Sequence, residues 1–504
     1  QTVYLWGEMD LSMKEVRLLE FLPEVSLAEH AILREGAMLF APQAGIRVVG
    51  SPAGTEFFEL TLPRYDQQRD RTTSRWGLAV QTPQGDWQLL SFWKYATDLS
   101  AAASEKLPLH KPRGIKGLGG VVAQYPLEEL LELGIEQITV NVVLTSLLDN
   151  QPHPGWFPFQ HAGRTWFVNP GPLARYDQLL KFADEHDIVV SAILLVSFGD
   201  SSFAKLIIHP EADRAGHFAM PNLTDSEGVA AYEAVLQFLA QRYCREDREY
   251  GRIANWIVHN EVDFGWEWTN MGRQPQMVFM DHYLRSLRMV HNVTRRFDPH
   301  SRVFISLTHH WNTPAHENWQ SYCSREILER LIASSRIEGD FAWGVAYHPY
   351  PQNLRNPAAW NDHQVNETFE TPKITPKNIA VLDRWMKQPQ MLTSDGRIRG
   401  LLLSEQGFNT PDYSAESQQM QAAGFVYMWR QMRGLSSIEA FHNHRWIDSP
   451  HEGGLLLGLR TVPEAGKPFG TKKQSWEVYQ ALGTPRENEA TRFADSILPA
   501  GPPQ

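Results

Sequence analysis

From about residue 115 onward, short continuous aliphatic runs alternate with stretches whose apolar residues recur every three or four positions. The first pattern is that of buried strands, the second that of amphipathic helices. The strand runs fall at 117–121, 137–144, 188–196, 253–259, 303–307, 343–347, 400–403 and 438–441. Between them the helical spacing recurs at 173–182, 229–239, 283–293, 327–332, 379–385, 420–432 and 476–482, with a capping box expected at Thr224-Asp-Ser-Glu227 before the second. Strictly alternating strands and helices call for parallel strands covered by helices. Helix-to-strand connections are short (185–187, 297–301, 434–437), whereas strand-to-helix connections run long (145–171, 197–224, 262–280, 308–323, 349–376, 449–473). All the elaboration therefore sits on one face, which in a (β/α)₈ barrel is the C-terminal face where active sites are built.

Residues 1–108 read differently. Short β-like runs at 46–49, 56–62, 76–80 and 87–93, the last two separated by Pro83-Gln84-Gly85, predict a small antiparallel sandwich. Lys111-Pro-Arg-Gly114 reads as a linker. The expected fold class is thus α/β: a TIM barrel over 109–485, preceded by a β-sandwich-like domain over 1–108 and followed by a tail over 486–504. A chain of 504 residues suits a large barrel plus a smaller module.

Composition narrows the function classes. Hydrophobic residues make up 42% and charged residues 21%, and no run of about 18 apolar residues is present, so no membrane span is expected. The net charge is −11 and no basic stretch interleaves with aromatics, which argues against nucleic acid as a partner. Cys244 and Cys323 have no metal-ligand spacing and are expected as unpaired thiols. With no Cys-x-x-Cys, His-Glu-x-x-His, Walker or dinucleotide glycine motif, chemistry without a cofactor or metal is expected. The chain starts at Gln1 rather than Met, which points to a removed segment, either a signal peptide or a stretch added for expression, and a secreted or periplasmic location is expected.

The chemistry is concentrated at two strand ends. Trp256-Ile-Val258 stops abruptly in His259, Asn260 and Glu261, and Leu401-Leu-Leu403 stops in Ser404 and Glu405 before Gly407. Asn-Glu also occurs at 366–367 and 488–489, where no strand leads into it, so position carries the signal and not the dipeptide. Two glutamates at the C-terminal ends of strands in one barrel can form a catalytic pair.

Strands four and seven ending in Asn260-Glu261 and Glu405 resemble the retaining glycoside hydrolases of the large (β/α)₈ clan A, over about residues 115–485. His348-Pro-Tyr350 after strand six is similar to the His-x-Tyr of cellulase-like members, and Trp446 lies near the end of strand eight, where the clan places an aromatic floor. The resemblance implies that Glu261 is the acid/base and Glu405 the nucleophile, with Asn260 bonding a sugar 2-hydroxyl and Tyr350 orienting Glu405. Cleavage with retention independently needs two carboxyl groups roughly 5–5.5 Å apart. Many cellulase-like relatives carry an arginine near an early strand end; here strands one and two offer Gly119-Gly120 and Asn141, and strand three ends in Ser197-Phe198.

Aromatic residues on the long loops, including Trp266, Trp311 and Trp446, suit stacking on sugar rings, and His310, His348 and His442 suit bonding to hydroxyls. The expected activity is hydrolysis of β-glycosidic bonds in a poly- or oligosaccharide. Two other classes stay open: a carbohydrate-binding protein on an inactive barrel, and a metal-dependent hydrolase in which imidazoles converge with Glu261. A further expectation is that His442, His444 and Arg445 receive a carboxylate or sulfate of an acidic sugar.

Overall fold

The computed structural model describes residues 2–8, 15–34, 37–50, 57–316 and 319–499. Among them, eight parallel strands close a barrel: β1 (Lys116–Leu118), β2 (Gln137–Val143), β3 (Val189–Ser197), β4 (Asn255–Val258), β5 (Arg302–Thr308), β6 (Trp343–His348), β7 (Leu401–Gln406) and β8 (Ile438–Asn443). Each pairs with the next, and β8 returns to β1. The covering helices are α1 (Glu128–Glu132), α2 (Pro170–Glu185), α3 (Ser226–Tyr243), α4 (Gln276–Arg295), α5 (Ser324–Glu338), α6 (Ala380–Met386), α7 (Ala415–Gln431) and α8 (Gln474–Ala481). This is the expected (β/α)₈ barrel.

Alternation along the strands sorts residues into two cores. Ile193, Ile257, Phe304, Ala346, Leu402 and Ala440 meet inside the barrel. Their neighbours, such as Leu194, Trp256, Val258, Ile305, Val345 and Leu403, face the helices. At the seam the inside is filled unusually: a Cβ on Gly117 of β1 would lie 2.0 Å from Cδ2 of His442, so the imidazole on β8 takes the space of a β1 side chain. Lys116 donates to the carbonyls of Tyr479, Gln480 and Leu482 at the end of α8 (3.3, 3.1 and 3.0 Å), and Tyr479 donates to the Gly117 carbonyl at 2.6 Å. The final helix is thereby capped by the first strand.

In the N-terminal region the expected runs appear as Ile46–Gly50, Phe57–Pro63, Arg75–Gln81 and Trp87–Leu89. Residue 56 of the second run lies outside the described residues. Thr2–Glu8, Arg17–Phe21, Ala31–Arg34 and Ala37–Phe40 are strands that periodicity did not mark. The Thr2–Glu8/Phe57–Pro63 ribbon lays Val3 and Leu62 on Leu18 and Trp76 of the larger sheet, whose other core holds Leu19, Phe21, Phe40, Ala79 and Trp93. The run expected to 93 stops at Leu89 because Trp93 turns to the barrel, donating to Glu338 of α5 at 2.8 Å.

The two regions are fastened mainly through α4 and its end. Asp70 accepts from Arg64 (2.7 Å) and from Arg296 (2.5 Å), which also reaches Glu233 of α3 at 3.1 Å. Glu29 pairs with His282 at 2.9 Å, Arg285 donates to the Pro23 carbonyl at 2.8 Å, and Asn292 donates to the Thr72 carbonyl at 2.7 Å. The expected capping box at Thr224 is corrected: Asp225 caps α3, accepting from the backbone of Glu227 and Gly228, while the Glu227 side chain pairs with Arg164. Cys244 and Cys323 are free. Past α8, Glu487–Thr491 is helical, and Glu487 accepts from the indole of Trp429 on α7 at 2.9 Å.

Burial works to raise the pKa of Asp70, but Arg296, Arg64 and the Thr72 N–H outweigh it and hold the carboxyl well below the usual range. A depressed folded-state pKa contributes stability above the unfolded value of about 3.9, lost as pH falls below it. Asp70→Ala should therefore cost about 3–5 kcal/mol at pH 7, because two buried guanidinium groups lose the carboxylate they share. The deficit against the parent chain should shrink on acidification to pH 3. Urea unfolding at the two pH values checks both statements.

Candidate active site

The mouth of the barrel is shaped where two strands depart from regular alternation. After Ile257, which points inward, strict alternation would send His259 inward too. The left-handed backbone at His259 (φ 65°) instead aims its ring at α4, where Nε2 meets Ser286 Oγ at 2.8 Å and Nδ1 meets the Leu194 carbonyl at 3.2 Å. Burial pushes its pKa down to about 4, so the ring is a neutral strut. Glu261 is left-handed as well (φ 36°), and its N–H donates to Ser306 Oγ on β5 at 2.9 Å. Non-glycine residues in this region cost roughly 1–2 kcal/mol each, which the bonds to Ser286 and Ser306 offset.

On β7 the departure is a bulge. Leu403 pairs with Phe441 and Gln406 with Asn443, three steps on β7 against two on β8. Leu402 faces inward, so strict alternation would point Glu405 at the helices; the extra residue turns it into the mouth. On β6 no adjustment is needed, since Ala346, His348 and Tyr350 follow one another on the inner face.

Together these placements bring an oxygen of Glu261, an oxygen of Glu405 and a nitrogen of His348 within 4.8 Å of one another. His348 Nδ1 and Glu261 Oε1 share a hydrogen bond of 2.9 Å, and Tyr350 donates to Glu405 Oε1 at 2.9 Å. His444 Nδ1 stands 4.0 Å from Glu405 Oε2. The two carboxyl side chains are 13% and 20% exposed, enough for one ligand face. Burial raises the pKa of Glu405, but His444, His348 and the Tyr350 hydrogen bond outweigh it and hold the carboxyl below its ordinary range. His348 moves up despite burial, because Glu405 and Glu261 both favour its cation. The set can present one anionic carboxylate to an electrophilic carbon while the other exchanges a proton. Glu261, His348 and Glu405 are close enough to share a cation, which would compete with the hydrogen bond between His348 and Glu261.

Of the other expected residues, Asn260 lies beside Glu261, its Oδ1 3.5 Å from Ser306 Oγ. Trp266 is half-buried on the rim, edge-on to Trp319 at 4.7 Å. His310 is half-buried on the loop after β5, bonded to the Thr313 carbonyl at 3.1 Å. Three expectations are corrected. Trp311 is fully buried, donating to the Phe369 carbonyl, and Trp446 is fully buried, directed at Glu129 and edge-on to Tyr125, so neither offers a ring face to a sugar. His442 is sealed inside the barrel with both ring nitrogens unpartnered among the described residues, and burial pushes its pKa down to about 3. The anion-receiving trio is not assembled either, because Arg445 and His444 both turn to Glu452.

Sequence reasoning missed Ser306, Asp263 and Glu452. Ser306 could have been found as the inward position two after Phe304. Asp263 is buried, accepting from Thr308 N (2.9 Å), Thr308 Oγ1 (2.5 Å) and Ser324 Oγ (2.8 Å), and so ties the loop after Glu261 to β5 and α5. Nothing local marks Glu452, which reaches the mouth from the loop after β8.

A model described as a family of unknown function, DUF5722, matches residues 108–501. No curated protein matches the chain. Among solved structures, the chain is similar to a family 39 glycoside hydrolase from Bacteroides cellulosilyticus WH2, with 13% identity, 95% of this chain and 79% of that one covered, and a TM-score of 0.48. It is similar also to a family 1 β-glucosidase from Thermotoga maritima, with 14% identity, coverages of 75% and 98%, and a TM-score of 0.47. An exo-β-1,4-mannosidase from Opitutaceae bacterium strain TAV5 gives 15% identity, coverages of 79% and 63%, and a TM-score of 0.45.

Burial pushes the pKa of Asp263 up to about 6, against its bonds from Thr308 and with help from neighbouring Glu261. A carboxyl whose folded-state pKa is raised contributes stability that is present below the unfolded value and lost as pH rises through the folded one. The parent chain should therefore lose about 2–3 kcal/mol relative to Asp263→Asn between pH 4 and pH 8. Parallel urea titrations of the two proteins read this difference, and parallel curves with no pH-dependent gap would contradict it.

Proposed function

The chain belongs to the DUF5722 family of unknown function, and we propose that it is a glycoside hydrolase cleaving β-glycosidic bonds with retention, Glu405 acting as nucleophile and Glu261 as acid/base. The observation that carries the reading is the pair of carboxyl oxygens within 4.8 Å at the ends of β4 and β7, each with its own donor. Retaining hydrolysis works with carboxyl groups roughly 5–5.5 Å apart, whereas inversion needs roughly 6.5–9.5 Å to seat a water.

The division of labour follows from the partners. Tyr350 and the flanking imidazoles stabilise negative charge on Glu405, as a group that must attack the anomeric carbon requires. Glu261 shares a proton with His348 and can deliver one to the departing oxygen. In the second step Glu261, having given its proton to the departing oxygen, takes one from the incoming water, which attacks the glycosyl ester and frees Glu405. Asn260, on the same turn, is placed for a neighbouring hydroxyl, and Trp266 with Trp319 supplies an aromatic rim for a further sugar ring. An oligo- or polysaccharide is the substrate class that such a rim serves.

Glu405→Gln should lower turnover of aryl β-glycosides by roughly 10³-fold or more without changing the unfolding midpoint, since a covalent nucleophile is lost. Glu261→Ala should still form the glycosyl-enzyme from substrates with good leaving groups, and azide should then release a glycosyl azide of retained configuration. An inverted azide from Glu261→Ala would exchange the two roles. A variant of Glu405 keeping about a tenth of the rate, or activity abolished by chelation alone, would move the case to the metal-dependent class.

A further inference from the structure

β1 and β2 bring no cation to the nucleophile. At their ends stand Gly119, Gly120 and Asn141, and the space above the two glycines is occupied: a Cβ on Gly119 would come 2.9 Å from Thr139 Oγ1 of β2 and 3.8 Å from His444 Nδ1, and one on Gly120 3.3 Å from Arg445 Cβ. The ring of His444 faces Glu405 with one nitrogen and Glu452 with the other, at 4.0 and 3.5 Å. Glu452 is in turn clamped by Arg445. The result is a chain of alternating charge, Arg445, Glu452, His444, Glu405, with His348 and Tyr350 on the far side of the last carboxylate.

We propose that His444, held by Glu452 from the loop after β8, is the positioning residue that keeps Glu405 a carboxylate in the absence of an arginine on β1 or β2. The inference deepens the glycosidase reading and rests on it for the name nucleophile, but the charge chain can be tested without turnover. The groups facing His444 are Glu405 from β7, Glu452 and Arg445 from its own side, and, across an adjoining cavity of about 300 Å³, Arg175 and Tyr176 of α2 with Asn141 of β2. Only the two glutamates among these are anionic. Both act on the imidazole: burial lowers its pKa, and Glu405 and Glu452 more than compensate. Glu452, bonded to His444 and paired with Arg445, is held down at about 2 despite partial burial, so it stays charged across the working range. A cation 4 Å from a carboxylate lowers its pKa by roughly 1–3 units, the span needed to keep a half-buried nucleophile ionised at mildly acidic pH.

The test uses the full chain with ¹³C at the glutamate carboxyl carbons, the Glu405 signal being identified by its loss in Glu405→Gln. In His444→Gln, which keeps a hydrogen-bond donor and removes the charge, the Glu405 midpoint should rise by about one pH unit or more. An unmoved midpoint overturns the proposal. Should that variant fail to fold, Glu452→Gln decides: the ¹⁵N titration of the His444 ring should move down by about one unit, and an unchanged ring midpoint overturns the proposal equally. Turnover of aryl β-glycosides separates the two readings. If the chain is active, the acid limb of kcat/KM should follow the Glu405 midpoint in each variant. Activity with an acid limb unmoved in His444→Gln refutes the positioning role alone, whereas shifted titrations without turnover support the charge chain and refute the glycosidase.

Discussion

Closure of the parallel barrel is the constraint on which everything else depends. Once eight strands are hydrogen-bonded in a ring, every second residue points into the lumen, and Ile193, Ile257, Phe304, Ala346, Leu402 and Ala440 fill it as a staggered apolar tier. The next inward positions on β5 and β6 are Ser306 and His348, which stand at the mouth. The seam between β8 and β1 closes because Gly117 leaves room for the His442 ring and because Lys116 and Tyr479 lock α8 across it. The apolar tier is therefore a floor, and the polar groups above it inherit their positions from it.

The two glutamates reach the mouth through exceptions to that rule. Glu261 arrives by two left-handed residues, and Glu405 by an extra residue in β7. Each exception is supported from outside the site: His259 by Ser286 of α4, Glu261 by Ser306 of β5, and the following loop by Asp263 with Thr308 and Ser324. The helix that carries Ser286 is also the one on which the N-terminal region docks, through Arg285, His282 and Asn292, with Arg296 just beyond it. A module that is far from the chemistry in sequence thus packs against the helix that supports the end of the strand leading to Glu261.

Burial sets the electrostatics of the site. In water a carboxylate and two imidazoles would titrate nearly independently; in the barrel mouth both histidines, His348 and His444, are raised and Glu405 is lowered. Two histidines outside this set, His259 and His442, go the other way, because burial acts on them without a facing anion. The same residue type is a strut in one place, a plug in another and a cation in a third, according to what it meets.

The sequence by itself determined the architecture and the two glutamates, because strand runs, helix spacing and loop asymmetry are local patterns that survive in one dimension. His348 and Tyr350 were legible only through the resemblance, as the His-x-Tyr that follows strand six. The early N-terminal strands were not, since Arg17–Phe21 is buried almost throughout and lacks alternation. Trp311, Trp446 and His442 were misplaced because a sequence shows which loop or strand end a ring belongs to, but not whether it turns to the mouth or the core. Glu452 and its hold on His444 were invisible: the contact joins a loop to a strand end across the seam, and only closure of the barrel brings those charges within reach of Glu405.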